Sequence, residues 1–243
     1  MSVMAAAHIR SYELIHRVRK DMGFDDTMVS FANHVRVFSP LNPNNPLHRF
    51  FAAFNERLFQ GSLSSAMYKG EFPWPLKNFW GIKPGRYCDF IGINYYTRST
   101  VKGLGDGVRP DVPLNDLGWE IYPQGIVELA EKLYSLCPLP IYITENGTCD
   151  NDDSFRSRYI YDHLKALCTS GLPFERYYHW CFCDNFEWLE GEAARFGVVK
   201  VDFDTQERSI KDSGRFLSEI ATAGGVDGEM YDCYVRDKVY KIR

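Results

Sequence analysis

Ile141-Tyr142-Ile143-Thr144-Glu145-Asn146-Gly147 is the stretch on which the reading of this chain turns. A short apolar run closed by turn residues reads as a buried parallel strand. Glu145 therefore stands where the strand gives way to a loop. In barrels built from βα units, side chains at that end of a strand reach the site of chemistry. Taken alone, the stretch is equally well an ordinary loop mouth, because Asn-Gly marks turns in any fold.

The segments on either side carry the argument further. Upstream, helical spacing covers Gln124–Leu136, and Phe90–Tyr95 (FIGINY) reads as a strand. Between them runs a polar loop, Arg98–Pro123, with four glycines and three prolines. Earlier still, Leu47–Phe59 is expected to be a helix closed by Gly61, with a short helical piece at Ser64–Lys69. Val29–Val37 reads as a strand. Ser2–Asp21 reads as an amphipathic helix with Met4, Ala7, Leu14, Ile15 and Val18 on its apolar face. Downstream come a helix over Phe155–Thr169, a strand over Tyr177–Cys183, a β-hairpin arm at Phe196–Phe203 and a helix over Lys211–Ala223. The polar tail from Asp227 carries no assigned structure. Strand followed by helix, four times over, predicts an α/β fold with a parallel sheet and helices outside it. Four such units make either a small open sheet or half of an eight-stranded barrel.

Composition bounds the function. The 243 residues are 45% apolar and 25% charged, as in ordinary soluble globular proteins. A net charge of −4 without a basic run argues against nucleic acid and anionic membranes as partners. No apolar run approaches the ~18 residues of a membrane span, and no cationic leader precedes an apolar core at the N-terminus. The seven cysteines are scattered and form no C-x-x-C pair, which predicts no metal site and a reducing, cytoplasmic setting. An aromatic content of 15% suits a pocket for a ring-shaped polar ligand.

Three strand ends hold side chains able to converge: Asn94-Tyr95-Tyr96, Glu145-Asn146, and Trp180 with Asp184-Asn185-Phe186-Glu187-Trp188. A carboxylate beside a phenol, an amide, a second carboxylate and indoles outlines a sugar site. The carboxylate attacks an anomeric carbon, indole faces cover the ring, and carboxylates accept from hydroxyls.

Four ordered segments resemble family 1 β-glycosidases, retaining enzymes on a TIM barrel. They are DFIGINYYT at Asp89–Thr97, GWEIYPxG at Gly118–Gly125, IxxTENG at Ile141–Gly147, and DNFEWxEG…RFGxVxVDF at Asp184–Phe203. The resemblance implies one domain, residues 1–243, forming the C-terminal half of a TIM (β/α)8 barrel. It would hold strands 5–8, a preceding helix and a hairpin arm. It further implies Glu145 as nucleophile, Tyr96 as its hydrogen-bond donor and Asn94 in the same subsite. Trp180 would floor the sugar, Glu187 would accept from O4 and O6, Trp188 would donate its indole N–H, and Phe196 would close the pocket edge. Because a carboxylate at Glu187 repels phosphate, the implied substrate is an unphosphorylated β-D-glycoside. No cofactor is implied.

Retaining chemistry of this kind needs a second carboxylate roughly 5 Å from the first. The family carries it in an Asn-Glu-Pro segment, and these 243 residues contain none. The expectation is therefore a half-enzyme, completed by an N-terminal half-barrel chain or self-associating through its open strand edges. A catalytically inactive carbohydrate-binding or interaction protein is the competing expectation. Hydrolysis and transglycosylation share the intermediate and are not separated. His34, beside Asn33 at a strand end, could line the pocket but is read as structural; Trp74, Trp80 and Trp119 read as packing or outer-subsite residues, and Asp184 and Asn185 as turn formers. Glu190 reads as either a surface group or an outer contact.

Overall fold

Alternation along three apolar stretches decides the core. Val35 and Val37 on one strand, Ile91, Ile93 and Tyr95 on the next, and Ile141 and Ile143 on the third are all buried in one cluster with Ile126, Leu129, Ala130 and Leu133. Those last four lie on a helix, so one face of the sheet is sealed by helices. The residues between them point to the other face. The structure, a computed structural model, describes residues 1–242.

In chain order the elements are α1 (Ser2–Asp21), β1 (Ala32–Pro40), α2 (Pro46–Glu56), α3 (Ser62–Lys69), β2 (Ile91–Lys102), β3 (Gly105–Gly107), β4 (Pro113–Leu114), α4 (Gln124–Leu136), β5 (Ile141–Asn146), α5 (Arg156–Thr169), β6 (Phe174–His179), β7 (Val199–Val201), β8 (Arg208–Ile210), α6 (Asp212–Ala223), α7 (Gly228–Tyr234) and β9 (Lys241–Ile242). The main sheet has the order β1-β2-β5-β6, with parallel neighbours throughout, and β3 folds back antiparallel on β2. Register sets His34 opposite Asn94, and Asn94 opposite Glu145. Among the described residues, β1 and β6 pair on one side only.

Several boundaries differ from expectation for identifiable reasons. Pro46 opens α2, with the Asn45 side chain accepting from the backbone N–H of Leu47 and His48. Gly61 does not close that helix. It sits at φ −61° and passes the chain through a wide turn, Arg57–Gly61, directly into α3. The β2 strand runs seven residues beyond Tyr95, since Thr97, Ser99, Thr100 and Val101 pack well on a pleated surface. The hairpin arm is β7 with β8, so Phe196 precedes it rather than opening it. The fourth strand starts at Phe174, earlier than expected, because Glu175 and Arg176 are tolerated as exposed residues on an edge strand. The tail is ordered too: α7 packs on α6, and β9 pairs with β4.

The α1 helix forms as expected but buries the opposite side. Ala5, Ala6 and Ile9 are buried, while Met4, Leu14, Ile15 and Val18 are exposed. Polar contacts choose the face. Tyr12 donates to Asp89 Oδ1 at 2.8 Å, His16 Nε2 lies 2.7 Å from Asp89 Oδ2, and His8 Nε2 lies 2.7 Å from the Tyr87 carbonyl.

Candidate active site

The strand quoted first ends on a residue that nothing else can replace sterically. A Cβ at Gly147 would lie 1.8 Å from the Trp180 carbonyl oxygen, so the chain after β5 can lie against the end of β6 only with glycine there. The Trp180 backbone N–H donates to the Asn146 carbonyl at 2.9 Å, and the Trp180–Cys181 peptide bond is cis. Asn146 is fully buried. Its amide donates to the Tyr95 carbonyl at 2.8 Å and the Tyr159 hydroxyl at 2.9 Å, and its oxygen accepts from Tyr177 at 2.9 Å. Both amide protons and one of the two oxygen lone pairs have a partner, which fixes the backbone on which Glu145 stands.

Onto that fixed point converge the expected residues. The Tyr96 hydroxyl donates to Glu145 Oε2 at 2.5 Å. Burial first, and then the Glu145 carboxylate, push the Tyr96 phenol far above its ordinary pKa, so it remains a donor. Asn94 sits one strand over in register with Glu145, its side-chain oxygen accepting from Thr144 at 2.5 Å. The Trp180 indole N–H donates to Glu187 Oε1 at 3.1 Å. Burial raises the Glu187 pKa, bonds from Trp180 and Asn185 oppose the rise, and the charge of Glu145 adds to it. Glu145, Tyr96 and Glu187 thus act on one another electrostatically. Phe196 is buried behind Tyr96, ring centroids 6.4 Å apart and nearly perpendicular. Trp188 is not drawn into this group: it lies on the turn Trp188–Glu190 and is 82% exposed.

Asp184, read from the sequence as a turn former, instead ties separate segments together. It is buried and accepts from Gly197 N at 3.0 Å and Lys211 Nζ at 2.9 Å. A second clamp is a fully buried guanidinium. Arg156 donates to Asp153 and to the carbonyls of Asp150, Arg195 and Gly197 at 2.6 to 2.9 Å. These bonds tie the loop after β5 to the segment after β6.

Sequence reasoning left His34 and Trp119 outside the site and did not single out the Arg98–Glu120 pair beside Tyr96. Trp119 packs edge-on against Tyr96 at 6.2 Å, and His34 does so at 5.7 Å. Arg98 forms a fork with Glu120, both nearly buried. The alternation His34-Val35-Arg36-Val37 was the available signal that His34 and Arg36 share the face carrying Asn94 and Tyr96. Among the described residues, no cluster of three or more His, Cys, Asp or Glu side chains is disposed to hold a metal, and no helix is long and apolar enough to cross a membrane.

Comparison with known proteins follows the same outline. The family model "Glycosyl hydrolase family 1" matches residues 2–226. A beta-galactosidase of Sulfolobus acidocaldarius is 31% identical over 245 residues, covering 92% of this chain and 48% of that protein. Beta-glucosidase A of Thermotoga maritima is 38% identical over 159 residues, covering 57% of this chain and 35% of its own. The solved beta-glycosidase from Pyrococcus horikoshii superposes with a TM-score of 0.80 at 28% identity, covering 97% of this chain and 56% of that one. A beta-glucosidase from Thermotoga maritima in complex with glucoimidazole gives a TM-score of 0.78 at 27% identity, covering 92% and 56%. The chain spans about half the length of the relatives it matches along most of its own length. Its fold is part of an α/β TIM barrel.

Proposed function

The chain belongs to glycosyl hydrolase family 1, and from that membership we propose that it is the nucleophile-bearing part of a retaining β-glycosidase acting on unphosphorylated β-D-glycosides. The observation that carries the reading is the Tyr96–Glu145 hydrogen bond at the ends of two neighbouring parallel strands. A Glu145 oxygen attacks the anomeric carbon and the aglycone oxygen departs with the bonding electrons, leaving a glycosyl ester on Glu145. Water, losing a proton, then displaces the carboxylate. Tyr96 holds the attacking oxygen in line, and Asn94 faces the same sugar edge. Trp180 floors the sugar ring, Glu187 accepts from hydroxyls O4 and O6, Trp188 on the neighbouring turn donates its indole N–H, and Phe196 closes the pocket edge behind Tyr96. The negative charge at Glu187 disfavours a phosphorylated sugar.

A leaving group of ordinary basicity must be protonated as it departs. In the family that proton comes from the Glu of an Asn-Glu-Pro segment, and these 243 residues have none. The acid/base is therefore assigned to an N-terminal half-barrel. Among the described residues, the unpaired outer edges of β1 and β6 and the exposed apolar side of α1 support a partner there. The seven free thiols fit a reducing, cytoplasmic setting. The test is hydrolysis of cellobiose by the chain alone and after addition of a family 1 N-terminal half carrying an Asn-Glu-Pro segment. Turnover only in the completed sample supports the proposal. Turnover by the chain alone would place the acid/base within it, and silence in both would favour a carbohydrate-binding protein without catalysis.

A further inference from the structure

The segment after β6 carries a chain of hydrogen bonds that ends on Glu187. Cys181 Sγ donates to the Cys183 carbonyl at 3.1 Å, and Asn185 Nδ2 donates to Cys181 Sγ at 3.4 Å. The Asn185 side chain also donates to the Glu187 carboxylate. Resting on the reading of Glu187 as the carboxylate that receives the sugar, we propose that Cys181 is a positioning residue. It fixes which end of the Asn185 amide faces Glu187, and so supplies that carboxylate with a donor beside the Trp180 indole.

Cys181 is aimed by its own backbone. Its N–H donates to the Phe196 carbonyl at 3.2 Å, and its carbonyl accepts from the Val198 N–H at 3.0 Å. The side chain is buried with Cys149, Ala194 and Phe196, and Tyr96 and Trp180 pack against the same cluster. Burial first, and then the charges of Glu187 and Asp184, push the thiol up to about 12, so it keeps its proton at neutral pH.

A thiol has one proton. With that proton committed to the Cys183 carbonyl, the sulfur has only lone pairs to offer Asn185. Asn185 thus meets two acceptors, the sulfur and the Glu187 carboxylate. Only its NH2 group satisfies both, with one proton for each. Turned over, the amide would set its oxygen against a sulfur and a carboxylate. The observed orientation holds even though it leaves Asn185 Oδ1 buried without a hydrogen-bond partner, which is costly for an acceptor. Without the sulfur, Glu187 alone would oppose a turn of the amide toward some donor for that oxygen.

The state of Glu187 depends on this arrangement. Burial raises its pKa, the bonds from Trp180 and Asn185 lower it, and the charge of Glu145 raises it again. Two carboxylates that repel one another stay ionised together only where donors hold them. Trp180 Nε1 holds Glu187 Oε1 at 3.1 Å, and the amide held by Cys181 adds the other bond. An ionised Glu187, fixed by both, is an acceptor ready for sugar hydroxyls.

The test follows the Glu187 carboxyl by NMR across a pH titration of the chain carrying 13C-labelled glutamate. Cys181→Ala should raise the proton affinity of Glu187 about tenfold, the effect of one lost bond to a charged group. Asn185→Ala should do the same, and the double variant no more, because both act through one bond. Cys181→Ser, which keeps a donor and an acceptor in place, should stay near the native titration. Cys181→Val fills the space that Cys181→Ala empties and repeats the measurement should the first fail to fold. A native titration in the Ala or Val variant, or additive effects in the double variant, would overturn the assignment. Calorimetric titration with methyl 1-thio-β-D-glucoside and its 4-deoxy analogue then separates the two readings. Cys181→Ala should weaken the glucoside about tenfold and the 4-deoxy sugar less. Equal losses, or binding of neither sugar, with the NMR result as expected would overturn the sugar role of Glu187 and leave the positioning by Cys181 standing.

Discussion

The Tyr96 hydroxyl and Glu145 Oε2 lie 2.5 Å apart although 49 residues separate them in the chain. Parallel pairing of β2 with β5 makes that contact, and the bulge between Ile93 and Asn94 sets its register. Tyr96→Phe removes the donor and leaves the ring that packs on Phe196. Loss of one charge-assisted hydrogen bond, about 1.5 to 3 kcal/mol, should lower kcat on an activated aryl glucoside about ten- to a hundredfold in the completed enzyme. Steady-state kinetics decide it, and an unchanged kcat would make the bond incidental.

The close approach of Gly147 to the Trp180 carbonyl couples the loop that follows Glu145 to the one that carries Trp180. Gly147→Ala must push them apart, at an expected cost of about 1 to 3 kcal/mol by overpacking. Activity should fall further than stability, because displacing reacting groups by an ångström is costly to catalysis. Urea unfolding and kinetics on the same variant read both effects.

Two buried histidines make stability depend on pH. Burial holds His163 at a pKa of about 4, and burial, with the charge of Arg156, holds His179 at about 3. Unfolded, each binds its proton near the ordinary 6.5. Between these values the unfolded chain carries more protons, so stability is full above about pH 6.5 and is lost as pH falls toward 4. The slope should approach about 1.4 kcal/mol per pH unit for each histidine. His163→Gln should flatten it in urea titrations at a series of pH values, and an unaltered slope would assign the dependence elsewhere.

The free edges of β1 and β6, together with exposed Val3, Met4, Leu14, Ile15 and Val18 on α1, leave backbone and apolar surface without a partner among the described residues. Light scattering on the isolated chain at micromolar concentration should give a mass above that of one chain. A monodisperse monomer would count against a completing half-barrel.

Much of this was legible because local and global signals agree at β5. Its apolar run, its carboxylate and its glycine all mark the same strand end. Legibility failed where polar contacts overrode apolar counting. On α1, Asp89 and the Tyr87 carbonyl hold Tyr12, His16 and His8, turning the apolar stripe outward. At β6, Glu175 and Arg176 disguise a strand whose outer side is open.

The central claim is that Glu145 is the nucleophile, and covalent trapping tests it most directly. The chain, completed by an N-terminal half, is incubated with 2,4-dinitrophenyl 2-deoxy-2-fluoro-β-D-glucoside, digested and mapped by mass spectrometry. The account predicts a fluoroglucosyl ester on the peptide containing Glu145, and none in Glu145→Gln. An ester on another residue, or undiminished turnover of the unfluorinated glucoside by Glu145→Gln, would contradict it.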